Sequence, residues 1–88
     1  MPDSRGITWL LKAEVDFQEI YNRIDRYSPE RAETFYASVN HALDQLVLAL
    51  NGRYGVFYRD ENRGIVVLGI EDLRQDPRRI RQSLGFDD

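Results

Sequence analysis

The sequence predicts an α+β fold, in which an antiparallel hairpin of two helices packs on a small antiparallel β-sheet and a short helix follows. Three observations predict it. Apolar residues recur every three or four positions across residues 12–26 and again across residues 29–50. Only Tyr27 and Ser28 separate the two helical patterns, so the helices should lie antiparallel. Residues 54–70 then form a pattern typical of a β-hairpin.

The chain has 88 residues, which suits one small core, so we expect a single domain over residues 1–88. It has no cysteine, which excludes disulfides and thiolate metal sites. Its apolar runs are shorter than the ~20 residues of a membrane span. The apolar part of the N-terminal region covers only residues 7–11, which is too short for a signal peptide. We therefore expect a cytoplasmic protein with no membrane partner.

The first part of the chain should hold a strand and a helix. Residues 7–11 are rich in β-branched and aromatic residues, which favours a short strand, although they could also form the first turn of the helix. The helix should cover residues 12–26, where acids come early and arginines late, as suits the helix dipole. Its apolar face consists of Phe17, Ile20, Tyr21, Ile24 and Tyr27.

The second helix should be capped by Ser28 and begin at Pro29, a residue that suits the first helical position. It is expected to run to Leu50, with Asn51 or Gly52 ending it as a left-handed residue. Its apolar stripe consists of Ala32, Phe35, Tyr36, Val39, Ala42, Leu43, Leu46 and Leu50.

The remaining segment should form the hairpin and the last helix. Aromatic and β-branched residues at 54–59 predict one strand, and nearly continuous apolar residues at 65–70 predict a second, buried strand. Polar residues between them predict the turn. Asp76 can cap a new helix and Pro77 suits its first turn, which predicts a short helix over residues 77–84.

Charge is spread unevenly along a chain whose net charge is −3. Residues 1–51 carry five basic and eight acidic residues, whereas residues 52–83 carry seven arginines and five acidic residues. The net negative charge argues against a general nucleic-acid binder. Lys12 is the only lysine, and arginine is the better residue for forked contacts to phosphate or carboxylate. The alternative is a solvated surface that merely favours arginine.

Few residues are candidates for acid–base chemistry or metal binding. His41 is the only histidine, and its neighbours Asn40 and Asp44 do not form a convincing metal site. We therefore expect no metal and no cofactor, and a structural role for His41 on the second helix. The tyrosines are expected mainly in the core, and Tyr54 and Tyr58 are the two that could contact a ligand.

Arg74 is the best catalytic candidate, because it lies where the last strand leaves the sheet and could direct its charge at a target. The alternative is that Arg74 pairs with Asp72 or Asp76 and only anchors the strand end. A cluster of further arginines follows on the last helix, where the side chains cannot all face one way: Arg78, Arg79 and Arg81.

Several segments of the chain resemble the RelE/ParE toxin superfamily of type II toxin–antitoxin systems, also called plasmid stabilisation proteins. In the family's order they are residues 13–21, 28–35, 43–46, 54–59 and 73–78, which together span nearly the whole chain. The resemblance implies the same two-helix hairpin on an antiparallel sheet. It also implies a toxin that is neutralised by a cognate antitoxin protein.

Two departures from the family pattern bear on activity. Family members carry a longer segment with a further strand before the strand at residues 54–59, and here residues 50–53 replace it. An inactive, shortened homologue that only binds antitoxin is therefore one alternative. The mRNA-cleaving, RelE-like branch uses an arginine near the start of this strand and a tyrosine or histidine near the C-terminus. The present chain has Gly55 where that branch has the arginine, and it has no tyrosine or histidine after Arg74.

The resemblance thus favours the ParE-like branch, whose members act on DNA gyrase without being nucleases. Under this interpretation we expect no enzymatic activity. The alternative is a metal-free, ribosome-dependent mRNA endoribonuclease that relies on Arg74. Net acidity argues against docking on ribosomal RNA, where affinity depends on many phosphate contacts, so ribosome and mRNA are the less favoured partners.

Two sets of residues are the expected binding sites. The candidates for contact with the target are Arg74, Arg78 and Arg79. The candidates for contact with the antitoxin are Arg53, Arg59 and Phe57. Family antitoxins are typically acidic and fold on binding, which suits an arginine-rich surface. An open sheet edge would accept an added strand, so we also expect a homodimer or a complex with antitoxin.

Overall fold

The computed structural model describes residues 6–45, 49–50 and 53–85. Within these ranges the chain forms three helices and one mixed sheet, which confirms the α+β class and the two-helix hairpin. None of the described helices has the length and apolar character needed to cross a membrane. In chain order the elements are β1 (Gly6–Trp9), α1 (Leu11–Tyr27), α2 (Pro29–Gln45), β2 (Ala49–Leu50), β3 (Tyr54–Glu61), β4 (Gly64–Asp72) and α3 (Pro77–Ser83).

The sheet has the strand order β1-β4-β3-β2 and is not wholly antiparallel, which corrects the sequence prediction. β3 and β4 form the expected antiparallel hairpin, and β2 pairs antiparallel with β3. β1, however, pairs parallel with β4, from Gly6 opposite Gly64 to Trp9 opposite Val67. The helical hairpin returns the chain so that β2 runs in the same direction as β1. β3 is antiparallel to β2 and β4 is antiparallel to β3, so β4 again runs parallel to β1.

The end of the second helix is also corrected. The helix was expected to reach Leu50, but α2 ends at Gln45, and Leu50 lies in β2 opposite Tyr54. A short apolar run suits a helix and a buried strand equally well, so periodicity alone could not separate the two. Leu46, Asn51 and Gly52 lie outside the described residues, and their expected roles stay predictions.

The predicted caps are confirmed. Ser28 Oγ accepts a hydrogen bond from the Arg31 backbone N–H at 3.2 Å, and the Ser28 N–H donates to Ile24 O at 2.8 Å. One residue therefore ends α1 and begins α2, which makes the connector short and the hairpin tight. Asp76 Oδ1 accepts from the Arg78 N–H at 2.9 Å at the start of α3.

The core lies between the helical hairpin and the face of β3 and β4 that it covers. Its buried members come from all four of these elements: Ala13, Ile20, Phe35, Val39, Ala42, Leu43, Tyr54, Val56, Val67 and Ile70. Two tyrosines expected in the core are instead exposed, Tyr27 at 86% and Tyr36 at 51%. Each helix carries an apolar stripe wider than the face that meets the sheet, so the outer residues of the stripe reach solvent. His41 is exposed on α2.

Candidate functional site

Two arginines from different segments converge on Asp72, the last residue of β4. The Arg74 side chain donates from Nε to Asp72 Oδ1 at 3.2 Å and from Nη2 to Oδ2 at 3.0 Å. The Arg74 backbone N–H donates to Oδ1 at 2.9 Å. On the other side, Arg53 Nε lies 3.6 Å from Oδ2, and its guanidinium lies 5.1 Å from the centroid of the Tyr54 ring. We call Arg53, Asp72 and Arg74 the strand-end cluster.

Backbone pairing explains why these residues meet. The hairpin register places Tyr54 opposite Asp72, and the Leu73 N–H donates to Arg53 O at 2.7 Å just beyond that pair. The residue before β3 and the residues after β4 are thereby held side by side. Pairing with Asp72 or Asp76 was the alternative to a functional role for Arg74, and the structure shows the pair with Asp72.

Asp72 and Arg74 are both ionised at neutral pH. Hydrogen bonds from the side chain and backbone of Arg74, with a smaller contribution from the charge of Arg53, lower the pKa of Asp72 from 3.8 to about 2. The same side-chain hydrogen bonds raise the pKa of Arg74 above its usual value. The Arg74 side chain is 65% exposed and that of Asp72 is 22% exposed, so the cluster presents mainly guanidinium to solvent.

This arrangement is better suited to binding than to catalysis. A carboxylate whose pKa is near 2 is a weak general base at neutral pH. Two donor nitrogens of Arg74 are already occupied by Asp72, which reduces the charge that it could offer to a phosphate. The outer edge of the guanidinium remains available for a surface that accepts hydrogen bonds.

The other two arginines expected to contact the target lie on α3. Arg78 Nη2 pairs with Asp76 Oδ2 at 3.5 Å, and its side chain is 80% exposed. Arg79 is exposed, and no carboxylate of the described chain forms an ion pair with it. Arg74 is held by Asp72 and Arg78 by Asp76, so these two arginines are positioned by different carboxylates.

The residues expected to contact an antitoxin do not form one site. Arg53 and Arg59 lie six residues apart along β3, which is ~20 Å at the usual strand rise. Arg59 Nε pairs with Glu61 Oε2 at 2.5 Å near the hairpin turn. Phe57 is half-buried and alternates with the core residue Val56, so it points to the opposite face of the sheet. Of this set, only Arg53 joins the strand-end cluster.

Two adjoining grooves open beside the strand-end cluster, and both are lined by Arg23 and Tyr54. The acidic groove, of about 320 Å³, lies between α1 and the end of β4. Its carboxylates are Asp16, Glu19, Glu71 and Asp72. The arginine-rimmed groove, of about 620 Å³, lies between the α1–α2 connection and the start of β3. Its arginines are Arg23, Arg31 and Arg53, and its apolar and aromatic lining consists of Ile24, Tyr27, Phe35 and Tyr54.

Sequence reasoning missed a polar network beside the acidic groove. Lys12 of α1 hydrogen-bonds both Asp16, one turn later, and Glu71 of β4. Asp16 Oδ2 also accepts a hydrogen bond from the Ile70 backbone N–H at 3.0 Å. The pairing of β1 with β4 ends at Val67, so Ile70 lies in the part of β4 beyond that pairing. A Cβ at Gly69 would lie 2.9 Å from Lys12 Nζ and 3.0 Å from Asp16 Oδ2, so the pair packs against bare backbone.

Glu71 is the buried centre of this network, with 6% exposure. Besides Lys12, it accepts from Ser83 Oγ at 3.0 Å and from Gln75 Nε2 at 3.3 Å, which ties α3 and the segment before it to the sheet. Partial burial lowers the pKa of Lys12, but the hydrogen bonds and charges of Asp16 and Glu71 outweigh it and raise that pKa overall. The only feature of the sequence that could have indicated this network is the position of Glu71 directly after the apolar residues 65–70.

Comparison of the chain with protein families, with curated proteins and with solved structures found no match. Within residues 6–45, 49–50 and 53–85, no three His, Cys, Asp or Glu side chains are grouped so that they could hold a metal ion. The functional interpretation therefore depends on the residues and on the geometry of the strand-end cluster and its grooves.

Proposed function

We propose that this chain is the toxin component of a type II toxin–antitoxin system, of the ParE-like branch that acts on DNA gyrase. It would act in the cytoplasm and be neutralised by a cognate antitoxin. Two features support the proposal. Five segments of the sequence follow the RelE/ParE order, and the hairpin of α1 and α2 packs on a small sheet, as the resemblance implies.

The strand-end cluster is the observation on which the proposal depends most. The late arginine of the family pattern corresponds to Arg74, which is exposed and held in a fixed orientation by Asp72. An arginine that is already oriented loses less side-chain entropy when it contacts a partner. Such a group suits recognition of a protein surface, as inhibition of gyrase would require, more than it suits cleavage of RNA.

The geometry around Gly55 disfavours the ribonuclease alternative. Gly55 stands where the mRNA-cleaving branch has an arginine, and it is buried. A Cβ there would lie 2.9 Å from Leu73 Cδ2 and 3.2 Å from Phe57 Cε2, so a larger side chain at this position would have to displace the Leu73 side chain. Together with the occupied donors of Arg74, this supports a toxin that is not an enzyme.

A second candidate function is supported by the short segment before β3. Family members carry a longer segment with a further strand there, and here residues 50–53 replace it, which is a reduction of that segment. Among the described residues of this region, Ala49 and Leu50 form the edge strand β2 and lie opposite Gly55 and Tyr54. An inactive homologue that binds and titrates antitoxin would be compatible with this reduction.

For partners, we propose an acidic antitoxin that contacts Arg53 and adds to an edge of the sheet. β1 forms one edge, and Gly6, Ile7 and Thr8 are exposed there. An open edge offers unpaired backbone groups to another strand, which a second copy of the chain could also supply. A homodimer is thus the competing use of the same edge.

Induction of the chain in bacteria tests the proposal. The chain would be expressed alone, with its neighbouring open reading frame, and as Arg74→Ala, with Arg63→Ala as a matched control at the hairpin turn. We expect growth arrest with DNA-damage signalling, rescued by the neighbour, weakened in Arg74→Ala and unchanged in Arg63→Ala. Arrest with rapid mRNA loss and no damage signal would instead indicate the ribonuclease. Normal growth with folded protein that binds the neighbour's product would indicate an antitoxin-titrating homologue.

A further inference from the structure

The arginine-rimmed groove has a composition that the chain as a whole does not share. Its described lining residues include three arginines, Arg23, Arg31 and Arg53, and no carboxylate. The chain carries 15 acidic and 12 basic side chains. A basic groove on a net acidic molecule is a local concentration of charge, and such a surface attracts an anionic partner.

Two of these arginines have no internal partner in the part of the chain that the structure describes. Arg23 and Arg31 are exposed, and no described carboxylate forms an ion pair with either. Arg53 lies 3.6 Å from Asp72, which it shares with the closer Arg74, and its side chain is 47% exposed. The groove therefore contains positive charges that no ion pair between described residues neutralises.

Apolar surface lies between the arginines. Phe35 and Tyr54 are 3% and 6% exposed and form the base of the groove, and half-buried Ile24 continues it. Tyr27, 86% exposed, stands at the end of α1 as a side wall. The volume of about 620 Å³ falls within the range in which proteins hold compact ligands or anchoring side chains, ~300–1,000 Å³.

We propose that the arginine-rimmed groove is a docking site for an acidic peptide segment that inserts an apolar side chain. The apolar side chain would pack against Ile24, Phe35 and Tyr27, and flanking carboxylates would pair with Arg23, Arg31 and Arg53. An exposed tyrosine and arginines around an apolar base are the composition typical of strong contacts in protein interfaces. This inference does not use the toxin assignment and would stand if that assignment failed.

The observations favour a peptide over a nucleic acid. Binding to a phosphate backbone gains affinity from many spaced cations, whereas this groove offers three around an apolar base. The chain as a whole has a net charge of −3, which disfavours binding of a polyanion that extends beyond the groove. A short segment that alternates apolar and acidic side chains matches both parts of the surface.

The test uses a synthetic helical peptide with glutamates around leucines spaced three and four residues apart, blocked at both ends. Amide NMR shifts of the full chain would be followed as this peptide is added. We expect shifts concentrated at Ile24, Tyr27 and Arg31. Replacing the glutamates by glutamines, or the leucines by serines, should weaken binding by about tenfold in each case, since both the charge and the anchor are required.

Chain variants separate the groove from general electrostatics. Arg31→Glu should weaken binding by about tenfold or more, and Tyr27→Ala by about threefold to tenfold. Arg63→Glu makes the same charge change at the hairpin turn and should bind within about twofold of the original chain. Circular dichroism would establish that each variant is folded.

Any of four results would overturn the inference. The first is that Arg31→Glu and Arg63→Glu weaken peptide binding equally, and the second is that no amide NMR signal shifts at millimolar peptide. The third is that a single-stranded oligonucleotide of equal charge displaces the peptide at a lower concentration. The fourth is a dimer of the chain that Arg31→Glu dissociates, which would assign the groove to a second copy of the protein.

Discussion

The two grooves beside the strand-end cluster share Arg23 and Tyr54. They differ in how far their charged side chains have partners within the chain. In the acidic groove, Asp16 and Glu71 bond Lys12, and Glu71 also bonds Ser83. In the arginine-rimmed groove, the arginines have apolar neighbours, and the part of the chain that the structure describes contributes no carboxylate to the lining. Two surfaces of similar position on one small domain thus differ in whether folding satisfies their charged groups.

The difference indicates how the work is divided between the two surfaces. A buried charge that is paired holds segments together, and its removal leaves partners unsatisfied. An exposed charge that is unpaired contributes little to stability and is available to a partner. The polar network beside the acidic groove therefore holds α1, β4 and α3 together, and the arginine-rimmed groove is available to bind a partner. Substitutions in each groove test this difference.

The largest effect should come from Glu71→Ala. The substitution removes the acceptor for Lys12, Gln75 and Ser83, and should lower the free energy of unfolding by about 2–3 kcal/mol. Urea denaturation would measure it. Glu61→Ala is the matched control, because that acid pairs with Arg59 in an exposed contact and should matter by less than about 0.5 kcal/mol. Similar losses in the two variants would remove the distinction between the two sides.

A smaller, pH-dependent effect should come from Asp72→Asn at the border of the grooves. The pKa of Asp72 is lower in the folded chain, about 2, than the usual 3.8. Its pairing therefore stabilises the fold above pH 3.8, and this contribution is lost as the pH falls toward about 2. The variant should be less stable than the original chain at neutral pH, by much less than Glu71→Ala because Arg74 is exposed.

Denaturation of both proteins across this pH range is the measurement. The stability difference between them should shrink as the pH falls and vanish near pH 2. A difference that stays constant with pH would show that Asp72 acts through packing rather than through its charge.

The smallest effect on stability should come from Arg31→Glu on the groove rim. Arg31 is exposed, lies in the first turn of α2 and pairs with no described carboxylate. Reversing its charge should change the free energy of unfolding by less than about 0.5 kcal/mol, since an acid also suits a helix N-terminus. Lys12→Glu reverses a charge on the other side and should be strongly destabilising. Thermal unfolding of the two variants would compare them, and a large loss in Arg31→Glu would contradict a recognition role.

Local signals explain which parts of the fold could be predicted. Ser28 and Asp76 cap helices through contacts within three residues of themselves, so the sequence shows them directly. The parallel pairing of β1 with β4 joins residues about 58 positions apart, and no local pattern indicates direction. β2 could not be predicted for a different reason, because its apolar residues also fit the helical period.

The candidate site was predictable only in part. The position of Arg74 at the strand end suggested an aspartate partner, and Asp72 is that partner. Arg23 and Arg31 looked like ordinary solvent-facing residues of two helices, and only the tight turn at Ser28 brings both to the groove that Arg53 also lines. The Glu71 network was missed for a similar reason, since its partners Lys12 and Ser83 lie far from Glu71 along the chain.

The most direct test of the proposed function is a DNA supercoiling assay with purified gyrase, relaxed plasmid and ATP, to which the folded chain is added. We expect inhibition of gyrase that is weakened in Arg74→Ala, kept in Arg63→Ala and reversed by the antitoxin encoded next to the chain. Full supercoiling in the presence of an excess of folded chain would contradict it.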